Sequence, residues 1–428
     1  MSVNNAFLKK LGLAFTEVAQ GFEELLSMSD QVKVTTRATA EDMQRSNSTI
    51  WIPQPYILDS VSSLNISGMT GDIVKRAVPI SINREETVYW DETPLDLIDM
   101  LDTDQLKDAA IQKLSSRVNQ SMADVICNTG SIVVSRPGAA SGFEDFAEID
   151  TAMTSQGVNG QARTIGLSPR DFNSAAASPA GRQTLDGVAL RAYESGILKT
   201  VAGFDLVKMD TVRRLQAATT ATVTINGANQ YHIPKASTHD ESTGADLPFD
   251  NRFQIINITV AAGGSVKVGD AFELPLVNAV NHMNKEDTGE RKTFRITKLV
   301  TGNGGSGAVQ ITPPIISGQG GTRGEKQYKN VTQTPADGAE LFFLNRVTAY
   351  ANPFWAKNSI ELTPGKIGTI DGAGLKIYRA TTKQGLEIVG AINEDIDDLN
   401  ARFRLSIRWG MNNTNPEMNG IQIFNQGA

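Results

Sequence analysis

Three glycines, Gly302, Gly304 and Gly307, formally satisfy the G-x-G-x-x-G pattern whose backbone amides cradle a dinucleotide pyrophosphate. That chemistry needs the glycines to close a strand and open a helix, and here "AVQIT" follows, which alternates like a strand. The spacing therefore predicts a hairpin tip. No G-x-x-x-x-G-K-[ST] phosphate loop occurs in the chain. His232, His239 and His282 lack the paired spacing that would set two imidazoles on one metal ion. Glu394, Asp395, Asp397 and Asp398 could attract calcium, yet the run lacks the glycine and terminal glutamate of an EF-hand loop and reads as a solvated acidic turn. Cys127, the only cysteine, allows no intrachain disulfide and reads as a small core residue rather than a nucleophile. No Ser, His and Asp set stands in a recognisable motif. These residues support neither catalysis nor a cofactor, so the chain reads as non-enzymatic.

The elements around them are those of a large folded chain. Its 428 residues suffice for about three domains at ~150 residues each, and 40% apolar residues can fill their cores. With 20% charged residues and a net charge of −7, the surface should repel nucleic acid rather than bind it. The N-terminus lacks the basic, apolar and small-residue layout of a signal peptide, and no window approaches ~18 uninterrupted apolar residues. The expectation is a soluble chain, cytosolic where it is made.

Leu8, Leu11, Phe15, Val18, Phe22 and Leu25 recur in steps of three and four, which predicts an amphipathic helical arm with one apolar stripe in need of a partner surface. Residues 32–89 turn extended, with the turn-forming "ISGMTGD" and the alternating "AVPISI". Within them "MQRSNSTIW" delivers Trp51 into a stretch too polar to bury it locally. Thr103 can cap a long helix on which Leu106, Ala110, Leu114, Val118, Met122 and Val125 form a stripe, and Asn128 and Gly130 end it. Residues 131–220 mix strands ("SIVVS", "RTIGLS") with helical pieces ("ALRAYESGIL"), as in an α+β unit. Asn226-Gly227, "FQIINITVAAGGSVKV" and "TFRITKLVTGNGGSGAVQIT" then read as three hairpins, which predicts a small closed barrel or a sandwich. Mixed strands return after Phe342.

"MQRSNSTIW" with its following proline, "SPRDF", "AYESGILKTVAGFD", "DNRF", "KVGDAFEL", "PFWAKNSIEL" and "RLSIRWGMNNTNPEMNGI" resemble, in order and over nearly the whole chain, landmarks of the coat proteins of short-tailed phages related to Salmonella phage P-twenty-two. The resemblance implies an α+β fold of the tailed-phage major capsid (Hong Kong 97) type with an inserted antiparallel β-barrel. Mapped here, it implies an N-terminal arm over 1–42, an E-loop over 43–92, a peripheral domain with a spine helix over 93–130 and an axial domain over 131–221. The insertion would occupy 222–345, and 346–428 would return through the axial and peripheral domains.

It further implies a structural subunit of the virion, assembled in the host cytoplasm into hexamers and pentamers. The expected partners are copies of itself, a scaffolding protein, a portal protein at one vertex and enclosed double-stranded DNA, with no membrane and no cofactor. Asp240, Glu241 and Asp246 are expected in an exposed loop that contacts a neighbouring capsomer. Glu17, Glu23 and Glu24 would receive scaffolding protein, and Trp51 would pack between subunits at the root of the E-loop. Lys75 reads as an ordinary surface lysine. The alternatives are a β-rich tail or adhesin module, against which no repeat is visible, and a carbohydrate-acting enzyme, which would need convergent carboxylates.

Overall fold

The computed structural model describes residues 21–22, 25–26, 31–34, 49–55, 57–58, 64–65, 67, 73–93, 100–158, 161–180, 200–236, 238–240, 245–247, 249–301, 305–368, 376–394 and 400–427. The chain forms two compact units, one of Met1–Ile50, Ile80–Met122 and Ile360–Asn412, the other of Trp51–Pro79, Ala123–Ser359 and Asn413–Ala428. Each is interleaved in sequence. No described helix is long and apolar enough to cross a membrane.

In the first unit the chain builds on a helix, Met100–Thr129, of which the part to Met122 belongs here. It starts ahead of the predicted Thr103. The predicted stripe is the buried one at Ala110, Leu114, Val118 and Met122, while Leu106 is 40% exposed and drops out of it. Phe22 and Leu26, at the end of the arm, are buried; Leu25, expected in the stripe, is exposed. Asn119 Nδ2 donates to Leu25 O at 3.2 Å, so this end of the arm docks on its own chain.

The sheet of this unit runs Lys33–Val34, Ile360–Pro364, Ala401–Asn413, Glu387–Glu394 and Lys376–Thr381, with Arg84–Glu92 also paired to Ala401–Asn413. The alternation of "REETVYWDE" sets Trp90 opposite Phe403, and their rings stack at 5.4 Å. Trp409 is buried, its indole N–H donating to Ser121 Oγ at 3.1 Å.

In the second unit a mixed sheet orders Ile132–Ser135, Asn419–Ile423, Asn352–Ala356, Arg163–Leu167, Phe204–Lys208 and Thr200–Val201. The helices Phe143–Ser155 and Pro169–Ala180 share its core of Phe146, Ile149, Ile165, Phe172, Phe204 and Phe354. "SPRDF" explains the start of the second: Ser168 Oγ accepts from Asp171 N–H, Pro169 fits a first turn, and Asn352 holds both Ser168 N–H and the Asp171 carboxylate. The long helix ends where Gly130 meets Gly420. A Cβ on Gly420 would stand 1.9 Å from Ile132 O, so only glycine allows this approach.

A second six-stranded sheet runs Val223–Ile225, Gln254–Val260, Gly305–Thr312, Asp287–Thr301, Ala271–Val280 and Phe342–Phe343. It closes on itself, because Leu341 N–H donates to Val223 O and Ile225 N–H to Ala339 O just before the last strand. Ile256, Ile258, Phe272, Phe294, Ile296 and Val309 fill the interior. Of the three predicted hairpins, only Asp287–Thr301 with Gly305–Thr312 exists as such. At Asn226-Gly227 the turn forms, with Gly227 at φ 102°, but the chain leaves the sheet, because Gln230 Nε2 occupies the carbonyls of Asn226 and Gly227. Gln254–Val260 likewise passes over a turn at 261–264 and pairs with Gly305–Thr312 instead.

Candidate functional site

The acidic stretch around 240 is not the simple loop expected. Thr238–Asp240 pairs antiparallel with Ala245–Leu247, in the register Asp240↔Ala245 and His239↔Asp246; Glu241 lies outside the described residues. Its neck is closed by a buried asparagine. Asn251 Oδ1 accepts from Lys235 N–H at 2.9 Å and Asn251 Nδ2 donates to Lys235 O at 2.8 Å, so one side-chain amide stands in for a backbone pair. Asp250 and Arg252 pair beside it at 2.7 Å, and Arg252 Nη1 donates to Asn413 O at 2.5 Å. Phe249 stacks on His232, with Lys235 Nζ 5.3 Å from the ring centroid. Thus "DNRF" is an anchor that fixes where the acidic hairpin leaves the barrel. Asn251→Ala should speed amide exchange selectively over 235–250, with a local cost of about 1–3 kcal/mol. Unchanged exchange there would mean that strand pairing alone holds the hairpin.

The expected E-loop has its stem in Thr49–Pro53 paired with Ala77–Ser81. Trp51 lies on this stem and is half-buried, whereas Ile52, Val78 and Ile80 are buried. Lys75 is exposed. The returning arm is pinned at its root: Tyr328 Oη donates to Val74 O at 2.8 Å, and Arg76 lies 3.6 Å over the Tyr328 ring.

Behind that root is a buried charge cluster that the sequence did not reveal. Glu417 Oε1 lies 2.8 Å from Lys292 Nζ, which is 1% exposed and also donates to Gln156 Oε1 at 2.8 Å. Asn330 Nδ2 donates to the same carboxylate, and His282 Nε2 stands 3.8 Å from its other oxygen. Burial pushes the His282 imidazole down to about 4. Burial alone would raise the Glu417 carboxyl, but the charges of Lys292 and His282 outweigh it and hold it at about 2. The arrangement ties the barrel segments around Lys292 and Asn330 to Gln156 and to the C-terminal turn at Glu417. Its only sequence signal was the acidic residue in the proline turn of "NTNPEMNGI".

Cys127 is buried, donates its S–H to Ala351 O at 3.3 Å, and is pushed by burial up to about 12, an environment of structure rather than reactivity. Among the described residues no three His, Cys, Asp or Glu side chains gather as metal ligands. Glu17, Glu23 and Glu24 lie outside the described residues, as do Gly302 and Gly304.

The family model described as P22 coat protein, gene protein 5, matches residues 1–425. This is a phage major capsid protein, a structural protein of the icosahedral shell with the Hong Kong 97-type fold. The chain belongs to the P22 coat protein family. Similar solved structures include the Mycobacterium phage Che8 chain, 9% identical over 92% of this chain and 93% of that one, with a TM-score of 0.41. The capsid of cyanophage P-SCSP1u is 10% identical over 92% and 86%, with a TM-score of 0.42. The CUS-3 coat protein I-domain is 30% identical over 29% of this chain and 95% of that one, with a TM-score of 0.22.

Proposed function

We propose that copies of this chain assemble with a scaffolding protein into hexamers and pentamers of a procapsid, with a portal protein at one vertex, which expands as it comes to enclose double-stranded DNA. The observation that carries this reading is the family match over residues 1–425. A net charge of −7 suits a container, since strong positive charge would hold the packaged DNA. In this reading assembly takes place in the host cytoplasm, the acidic hairpin with Asp240, Glu241 and Asp246 meets a neighbouring capsomer, and Trp51 is covered by an adjoining subunit. Glu17, Glu23 and Glu24 receive the scaffold.

Coexpression with the scaffolding protein of the same phage, followed by negative-stain microscopy, tests the reading. Uniform closed shells support it; a monomer or a fibre under all conditions refutes it. The barrel is also proposed to be a separate folding unit over about 222–345. Its closing hydrogen bonds join residues near both ends, so the excised segment should unfold cooperatively and give dispersed amide resonances. Collapsed, random-coil shifts would count against it.

A further inference from the structure

Beside the end of the long helix lies a cavity of about 70 Å³, lined by Cys127, Asn128, Arg213, Arg214, Lys267 and Asp270 among others. Its charges are unbalanced, although the chain as a whole is acidic. Arg213 Nη1 donates to Asn128 Oδ1, Arg214 lies over the Tyr350 ring, and Lys267 Nζ donates to Ala217 O. Each of these cations is satisfied by a neutral group, and none has a carboxylate within ion-pair distance among the described residues. The one acid of the lining, Asp270, is buried with its oxygens already taken by Asn345 Nδ2 at 3.0 Å and Lys267 N–H at 2.8 Å.

Behind the wall stands a fourth cation. Arg295 is 0% exposed; its Nε donates to Gly269 O at 3.0 Å and its Nη2 to Cys127 O at 2.6 Å, two residues that line the cavity. Its Nη1 has no hydrogen-bond partner. A buried guanidinium with an empty donor is costly unless negative charge is near, and the Asp270 carboxylate, already hydrogen-bonded elsewhere, offsets that cost only in part. The C-terminal carbonyls of the helix offer only partial charge.

We propose that this cavity binds a phosphate group, drawn either from free inorganic phosphate or from the backbone of DNA. The cavity is small, at about 70 Å³, and its convergent donors suit a single tetrahedral oxyanion. Paired arginines supply the forked donors that such an oxyanion takes, and Lys267 adds a point charge. Arg295 biases the field from behind without needing to touch the ligand.

The test uses the full-length monomer and inorganic phosphate, titrated by calorimetry at constant ionic strength against sodium chloride. A saturable isotherm with one site per chain is expected. Arg213→Gln together with Arg214→Gln should weaken it by about tenfold or more, and Arg213→Lys with Arg214→Lys by less, because charge is kept and the fork is lost. These side chains are exposed, so the melting temperature without phosphate should not move. A single-stranded oligonucleotide that displaces phosphate would identify the DNA backbone as a source; binding of phosphate without displacement would leave the free ion. A non-saturating response, the same isotherm in the glutamine variant, or saturation by acetate but not phosphate would overturn the assignment.

Discussion

Glu417→Gln is expected to destabilise the folded chain by about 3–5 kcal/mol, the usual cost of removing one partner from a buried ion pair. Lys292 is only 1% exposed, and Glu417 is the one carboxylate within 4.0 Å of it among the described residues. Glutamine preserves the length of the side chain and an oxygen for Asn330, so packing is nearly unchanged and the loss reports charge. The residue left behind is a buried ammonium with Gln156 as its remaining acceptor. Adding Lys292→Met should recover most of the loss, since no unpaired ammonium then remains. Urea unfolding at neutral pH measures both. A single variant within about 1 kcal/mol of the parent, or a double variant no better than the single, would show that the pair is not what fastens these segments.

Acid should act on the same cluster. For His282 the folded value of about 4 lies below the ordinary 6.5, so the unfolded chain takes up the proton first and stability falls as pH drops from 6.5 toward 4. For Glu417 the folded value of about 2 lies below 4.5, so its contribution is full above 4.5 and is lost as pH falls through 2. Both slopes have the same sign. Burial lowers His232 as well, so the measurement is a difference: His282→Asn should flatten the limb between 6.5 and 4 relative to the parent. Parallel profiles would remove His282 from the effect.

Local period was legible in the sequence, and pairing was not. The helix stripe from Ala110 to Val125 and the alternation of "AVPISI" are set by which face meets a core, and each is buried as its period requires. The hairpin signal at Asn226-Gly227 reports only that a turn is cheap there. What the strand pairs with is decided by Ala339 and by Gln254–Val260, segments that no local window contains. The same limit hid the buried cluster: Lys292 and Gln156, whose side chains bond, are 136 residues apart. A lysine in "ERKTFRI" looks like any strand lysine until the fold covers it. The resemblance to coat proteins supplied the architecture, whereas the anchors Asn251, Tyr328 and Glu417 were visible only as side-chain contacts.

Asp240→Lys together with Asp246→Lys is expected to leave the monomer folded while replacing closed shells with tubes, open sheets or unassembled subunits when the chain is coexpressed with scaffold. The hairpin that carries them is a two-stranded sheet separate from that of the barrel, anchored at its neck by Asn251 and the Asp250–Arg252 pair, so changes at 240 and 246 should spare the barrel core. Its role between capsomers is proposed. If acidic groups there meet basic ones across a twofold axis, a single exposed pair contributes only ~0–1 kcal/mol. Every such axis of the shell repeats the contact, however, and a small bias at each decides whether capsomers meet at the curvature that closes a particle. Because the contact is electrostatic, raising the salt concentration should weaken it in the parent chain too. The melting temperature of the double variant should match the parent, and lysines or arginines on the partner surface changed to glutamate should restore part of the closed yield. Normal shells at normal yield from Asp240→Lys, Asp246→Lys would mean that the hairpin is merely solvated, and its intercapsomer role would fall with it.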